Sequence, residues 1–275
     1  MPGGFFESVV PGDGREPLDI DISVAHQARI YDYTLGGKDN FAADREAAEK
    51  AIKAYPDTVL TARANRAFLG RAVRFLAAEA GIRQFLDIGT GIPSASNTHE
   101  VAQAVAPESR IVYVDNDPIV LTHARALLTS APGGTTAYLD ADARDPDAIL
   151  ARAAETLDFT QPVAIMMLLI LHVIDDPYAV TARLLDAVPA GSYLTVSMPA
   201  SDIQPEASAA AARRVIEDVP GITFTLRSHA EVRRFFDGLE LLEPGVVPVN
   251  HWRPGPGGPE PARDLPCYGA VGRKR

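Results

Sequence analysis

Between Gln84 and Pro199 the chain alternates between two kinds of segment. Short apolar runs ("QFLDI", "RIVYVDN", "TTAYLDAD", "PVAIMMLLIL", "SYLTVSMP") are separated by stretches with helical spacing. One of these begins at Asn97, and the others are "PIVLTHARALL", "PDAILARAAETL" and "PYAVTARLLDAV". Runs that are apolar at every position suit strands covered on both faces. Strands alternating with helices predict an α/β fold, a parallel sheet wound by right-handed crossovers. The helix starts are marked. In Asp117-Pro118, Asp145-Pro146 and Asp176-Pro177, Asp caps free N–H groups and Pro fits the first helical position, where its missing N–H has no partner to lose. "NTHE" reads as a capping-box variant with Asn97 and Glu100.

The flanks follow other rules. Residues 1–24 are rich in Pro, Gly and Asp and read as a loose arm. "FAADREAAEKAIKAY" is a helix that must end before Pro56. "DTVLTARANRAFLGRAVRFLAAEAG" is a second, with Asp57 at its N-cap, Gly81 beyond its end, and one apolar face running through Leu60, Ala64, Phe68, Ala72, Phe75 and Leu76. Residues 1–80 are therefore expected to form an arm and helices acting as a lid, and residues 81–275 the ligand-binding domain, together one compact unit. After Pro199, "PEASAAAARRVIEDV" and "SHAEVRRFFDG" read as helices. "LELLEPGVVPVNHW" and "CYGAVGRKR" read as two last strands, antiparallel because no helix separates them. A chain of 275 residues, 47% apolar, supports one large core.

Charge and composition narrow the function. The net charge of −10 argues against a nucleic-acid partner, whose phosphates attract Lys and Arg. One cysteine, Cys267, allows neither a disulfide framework nor a multi-cysteine metal site and reads as a buried strand residue; no metal is expected. The longest apolar run, Val163 to Leu171, is about half a membrane span, and the N-terminus lacks the features of a signal peptide. The expectation is a cytoplasmic protein without a membrane partner; nothing in the sequence sets an oligomeric state.

The ligand loop is "QFLDIGTGIPSASNTHE", Gln84 to Glu100. In an open parallel sheet, ligands sit beyond the C-terminal strand ends. Gly89 and Gly91, with Thr90 between them, let the backbone approach a ligand. Three acids fall at successive strand ends: Asp87, Asp115 (followed by Asn116) and Asp142 (followed by Ala143). An acid ending the second strand can accept both ribose hydroxyls, and one after the third can accept from an adenine amine. A dinucleotide loop wants a third glycine, but Ser94 occupies that place, after Pro93. Asp87 would repel a diphosphate and tolerate an ammonium or sulfonium. A zwitterion with ribose and adenine fits better, and S-adenosylmethionine is that ligand. A nicotinamide-dependent oxidoreductase is the weaker reading.

The stretches "ARIYDYTLGGKDNFAADREAAE", "ANRAFLGRAVRFL", "FLDIGTGIPSASNTHEVAQ", "VYVDNDPIVLTHARALL" and "PGVVPVNHWRP" resemble the actinobacterial S-adenosylmethionine-dependent methyltransferase family, a class I fold group mostly of unassigned substrate. The resemblance runs from about Ala28 to Pro254. It implies a Rossmann-like sheet of seven strands, order 3-2-1-4-5-7-6, the last antiparallel. It also implies that Gly89 and Gly91 touch the methionine part, Asp115 the ribose, and Asp142 with Ala143 the adenine. Pro93 departs from the general class pattern.

Two further features bear on function. "YDYTLGGKDN" carries a Gly-Gly turn, and the segment is expected to fold over the strand ends, bringing Lys38 or Arg29 to the methionine carboxylate. Beyond the fourth strand, His172 is the candidate catalytic base. No Asn-Pro-Pro-Tyr follows that strand, the motif of amino-methylating enzymes on DNA and protein glutamine. The expected activity is methyl transfer to a small molecule, with oxygen as the acceptor atom; a non-catalytic cofactor-binding protein is the alternative.

Overall fold

The computed structural model describes residues 21–120, 122, 130–204, 210, 224–255 and 263–275. Three helices open it: α1 (Gln27–Leu35), α2 (Ala42–Ala54) and α3 (Thr58–Ala78). The alternating region follows as β1 (Gln84–Ile88), α4 (Thr98–Val105), β2 (Arg110–Asp115), β3 (Thr135–Asp140), α5 (Pro146–Ala153), β4 (Ala164–Leu168), α6 (Pro177–Asp186) and β5 (Tyr193–Pro199). The chain closes with α7 (His229–Arg233), β6 (Leu239–Leu241), β7 (Val247–Pro248) and β8 (Cys267–Lys274). The expected helices "PIVLTHARALL" and "PEASAAAARRVIEDV" fall largely outside the described residues.

The strand order is β3-β2-β1-β4-β5-β8-β6, with β7 also pairing β8. β1 to β5 are parallel, and β8 runs antiparallel to β5, β6 and β7. This is the expected class I order, with an eighth short strand. "LELLEPGVVPVNHW" yields two pieces, β6 and β7, on the same edge of β8, because Pro244-Gly245 interrupts it. In β4 the apolar run extends beyond the strand. The ladder ends at Leu168, Leu169 turns to φ +51°, and His172 lies in a 3-10 turn (Leu171–Val173).

Strand alternation divides the core. Leu86, Ile88, Val112 and Val114 pack with Ile149 and Leu150 of α5 and Leu184 of α6. Phe85, Ile111 and Tyr113 pack on the other face with Phe68 and Leu76 of α3 and Val101 of α4. α3 thus flanks the sheet as a crossover helix would, while α1 and α2 lie beyond it. Asp145 and Asp176 cap as read, accepting from Ala148 N at 3.0 Å and Ala179 N at 3.1 Å. Asp57 makes no cap bond and instead meets Arg263.

Candidate functional site

A cleft of about 320 Å3 lies over the carboxyl ends of β1, β2 and β3. Its walls include Gly89, Gly91, Asp115, Asn116, Asp142 and Ala143 from the sheet side, and residues 24–28 from the start of α1. The loop after β1 is pinned to β2. Gly89 N and Thr90 N donate to Val114 O at 2.8 and 3.2 Å, and Gly91 N donates to Asp115 Oδ2 at 2.8 Å. Gly89 is required here. Its φ is +73°, and a Cβ would stand 2.6 Å from Ile170 Cγ1. The third glycine proves unnecessary because α4 starts only at Thr98. Ser94 N donates to the Asn97 side chain at 3.1 Å, and Glu100 accepts from Asn97 N at 2.8 Å.

Of the expected cofactor residues, Gly89, Gly91, Asp115, Asn116, Asp142 and Ala143 line this cleft. Asp87, Thr90, Arg29 and Lys38 are not among its walls. Asp87 shares strand parity with Phe85, so it turns under α4 and accepts from Thr98 Oγ1 at 2.6 Å. Burial pushes its carboxyl up to about 6. The Thr90 hydroxyl folds back onto Asp87 O at 3.0 Å. Asp115 is also raised by burial, although it accepts from Asp117 N and Gly91 N. Asp142 is half-buried and accepts from Arg144 N at 2.8 Å.

The N-terminal segment is fastened beside the cleft by ion pairs. His26 Nδ1 lies 2.8 Å from Asp117 Oδ2, and Arg29 Nε lies 3.6 Å from both Asp44 and Asp117. His26 Nδ1 also lies 3.4 Å from Ala28 N, where it would have to accept. The carboxylate contact is shorter and charge-assisted, so Nδ1 carries the proton and faces Asp117. Asp117 also accepts from Ile119 N at 2.8 Å, so the third Asp-Pro pair both caps and latches. Burial alone would raise Asp117, but His26, Ile119 N–H and Arg29 outweigh it and hold the carboxyl below its ordinary range. Arg29 Nη2 donates to Val24 O at 3.1 Å; its guanidinium is committed to the segment that lines the cleft. Lys38 is exposed on the turn after α1. That turn is built as its glycines suggest: Gly36 has φ +87°, and buried Asp32 accepts from Asp39 N and Asn40 Nδ2, both at 2.9 Å.

A second cavity of about 250 Å3 adjoins the first and shares two residues with it, Gln27 and Leu169. Its floor comes from His172, Pro199 and Cys267, its roof from α1, α2 and the start of α3. No charged side chain is among its described walls. Leu169 holds its left-handed conformation by donating its N–H to the Ser197 carbonyl and hydroxyl oxygens, each at 3.1 Å. Strained backbone of this kind concentrates at functional sites. His172 is 5% exposed. Burial, with Arg227 nearby, lowers its pKa to about 3, so the ring is neutral at pH 7. Cys267 is buried in β8, and burial pushes its thiol up to about 12. Gln27, Leu169 and the α2 residues of this cavity carried no signal in the sequence; Tyr31 and Thr34 lie within the "YDYTLGGKDN" motif that did.

Among the described residues no group of three or more His, Cys, Asp or Glu side chains could hold a metal ion, and no helix is long and apolar enough to cross a membrane.

Comparison with known proteins agrees with this geometry. No curated protein matches the sequence significantly. A DUF574 family protein from Streptomyces avermitilis MA-4680 is 48% identical over 93% of this chain and 99% of its own, with a TM-score of 0.88. A candidate methyltransferase from Thermobifida fusca YX is 42% identical over 93% and 97%, with a TM-score of 0.84. The model of a family described as S-adenosyl methyltransferase matches residues 13–275. Asp87 lies under α4, so its expected preference for a sulfonium over a diphosphate is not expressed in the cleft. The glycine loop, the acids Asp115 and Asp142 at successive strand ends and a match along nearly the whole sequence converge: the chain belongs to the S-adenosyl methyltransferase family, enzymes that use S-adenosylmethionine as methyl donor.

Proposed function

We propose that this methyltransferase acts on a small molecule seated in the second cavity, with an oxygen as the methyl acceptor. The observation that carries this reading is the shared wall: Leu169 and Gln27 belong to both cavities, so donor and acceptor would lie side by side. In the donor cleft Asp115 would accept the ribose hydroxyls, Asp142 and Ala143 with Asn116 would border the adenine, and the Gly89–Gly91 loop the methionine part. Asp87 and Thr90 would act behind this loop, holding its shape. When bound, S-adenosylmethionine supplies an electrophilic methyl group on a sulfonium.

The protein's own task is to orient the acceptor and exclude water. Of the expected arm and lid, residues 1–20 lie outside the described residues; residues 21–80 would serve as the lid, with Val24–Ala28 closing the donor cleft and α1 and α2 roofing the acceptor. Arg29 positions this segment through Asp44 and Asp117. Lys38 would meet the methionine carboxylate only if the turn after α1 moves inward, and unchanged S-adenosylhomocysteine affinity in Lys38→Ala would remove it from the site. His172 would take the proton that the acceptor hydroxyl loses. Its low basicity is sufficient, because an oxygen that has gained a methyl while keeping its proton is a far stronger acid than an imidazolium. The net charge of −10 fits a small acceptor better than a nucleic acid. Streptomyces and Thermobifida as sources of the relatives fit an actinobacterial family.

Incubation with methyl-labelled S-adenosylmethionine and a size-fractionated cell extract tests the proposal. Label should appear in a low-molecular-weight product; label confined to protein or nucleic acid contradicts it. In heat-shift measurements S-adenosylmethionine and S-adenosylhomocysteine should raise Tm with concentration, and NAD should not.

A further inference from the structure

Three residues in the wall of the second cavity each carry a buried polar atom without a hydrogen-bond partner: Tyr55 Oη, Thr61 Oγ1 and His172 Nδ1. They come from the end of α2, the first turn of α3 and the turn after β4, so no single local motif explains their meeting. Buried polar groups are almost always paired, and leaving one unmade is costly. Tyr31, which lines the same cavity, shows the ordinary situation: its hydroxyl donates to Ala62 O at 3.1 Å and accepts from Asn65 Nδ2 at 3.0 Å. Three orphans around one mostly apolar cavity point to a ligand that satisfies them.

Their chemistry limits that ligand. Two are hydroxyls, able to donate or accept, and the third is a nitrogen of a neutral imidazole. A carboxylate, a phosphate or an ammonium would each give up its hydration in a cavity with no charged side chain among its described walls, which is costly for either sign of charge. A hydroxyl both donates and accepts, so it suits any arrangement of the three. The remaining surface is mostly apolar and aromatic, with Gln27, Gln204, Thr34 and Thr58 as its other polar residues. The Phe224 ring lies edge-on to His172 at 4.5 Å between centroids, and the Tyr31 ring lies across the cavity wall.

Resting on the proposed acceptor site, we infer that the second cavity binds an uncharged hydroxylated aromatic ring, with Tyr55 and Thr61 as specificity-determining residues beside His172. Neither residue belongs to the donor cleft. Each adds a hydrogen bond to the acceptor, and together they discriminate a ring with a hydroxyl from the same ring without it.

The test uses the full chain saturated with S-adenosylhomocysteine and four probes titrated calorimetrically: 2-naphthol, naphthalene, 2-naphthoate and 2-naphthylmethylamine. 2-Naphthol should bind about tenfold more tightly than naphthalene, the ratio for a net hydrogen-bond gain of this kind, and the two charged probes more weakly than either. Tyr55→Phe and Thr61→Val should each reduce the naphthol-to-naphthalene ratio toward one, leave naphthalene affinity within about twofold, and keep S-adenosylhomocysteine binding, which also shows that each variant is folded. An unchanged ratio in both variants, tighter binding of either charged probe, or no binding of any probe overturns the inference. Loss of S-adenosylhomocysteine binding by the wild-type chain would instead overturn the donor-cleft assignment.

Discussion

The cleft around Asp115 and the cavity around His172 share Leu169 and Gln27, yet their walls come from different kinds of sequence. The cleft is mostly strand ends and the loops that follow them, so its polar groups fall at fixed places in a repeating pattern. The cavity is gathered from α1, α2, the start of α3, the turn after β4 and the segment before β8. Its walls are helix faces and irregular backbone, and its polar atoms are few and scattered. On the proposed assignment, the sheet dictates the donor site, whereas the helical roof dictates what is methylated.

The comparison can be broken from either side. The largest effect is expected for Asp115→Ala, which removes a carboxylate held by Gly91 N and Asp117 N. S-adenosylhomocysteine affinity should fall about 100-fold, as charged hydrogen bonds are each worth about 1.5–3 kcal/mol, while naphthalene binding to the neighbouring cavity persists. Calorimetry of both ligands checks this, and equal loss of both would show that the two sites are not separable. Ala51→Phe is the converse: it fills the second cavity from α2. Probe binding there should weaken by more than about tenfold, since a filled cavity cannot also hold a ring. S-adenosylhomocysteine affinity should stay unchanged within about twofold.

Gly89→Ala tests whether the cleft floor is as tight as it looks. A Cβ at 2.6 Å from Ile170 Cγ1 on a backbone with φ +73° should lower stability by about 1–3 kcal/mol, read as a lower denaturant midpoint; an unchanged midpoint would mean that the loop relaxes freely. His26→Ala has the smallest expected effect on binding, roughly fivefold weaker S-adenosylhomocysteine, because it removes one half-exposed partner of Asp117 worth about 1 kcal/mol.

Two buried groups, Asp87 behind the glycine loop and His172 at the second cavity, should also respond oppositely to pH. Asp87, raised from an ordinary 3.8 to about 6, keeps a proton in the fold that the unfolded chain gives up. Its contribution is complete below pH 3.8 and is lost as pH rises through 6. His172, lowered from 6.5 to about 3, contributes fully above pH 6.5 and loses that contribution as pH falls toward 3. Between pH 4 and 6, Asp87→Asn should therefore steepen the rise of stability with pH, and His172→Gln should flatten it. Denaturant midpoints across this range check both signs.

Much of the sheet was legible because its signals are local. Continuous apolar runs, Asp-Pro caps and strand-end acids each follow from a few neighbouring residues, and they place β1 to β5, Asp115 and Asp142. Asp87 shows where locality stops. Its position along β1 is readable, but its turn under α4 toward Thr98 depends on which face α4 covers. Arg29 shows the same limit, since its partners Asp44 and Asp117 lie far along the chain. The second cavity was least legible. Tyr55, Thr61 and His172 meet only through tertiary packing, and a tyrosine at a helix end has no pattern that distinguishes a ligand contact from a core contact. The run through "MMLLIL" misled for a related reason: an apolar composition continues past Leu168, but the left-handed backbone of Leu169, φ +51°, ends the strand there.

The most direct measurement is a crystal structure of the protein with S-adenosylhomocysteine. The ribose hydroxyls should lie within hydrogen-bond distance of Asp115, the adenine beside Asp142 and Ala143, and the sulfur beside Leu169 and Gln27, directed at the second cavity. An adenosine placed in the second cavity, or a sulfur turned away from Leu169 and Gln27, would contradict the assignment of donor and acceptor sites.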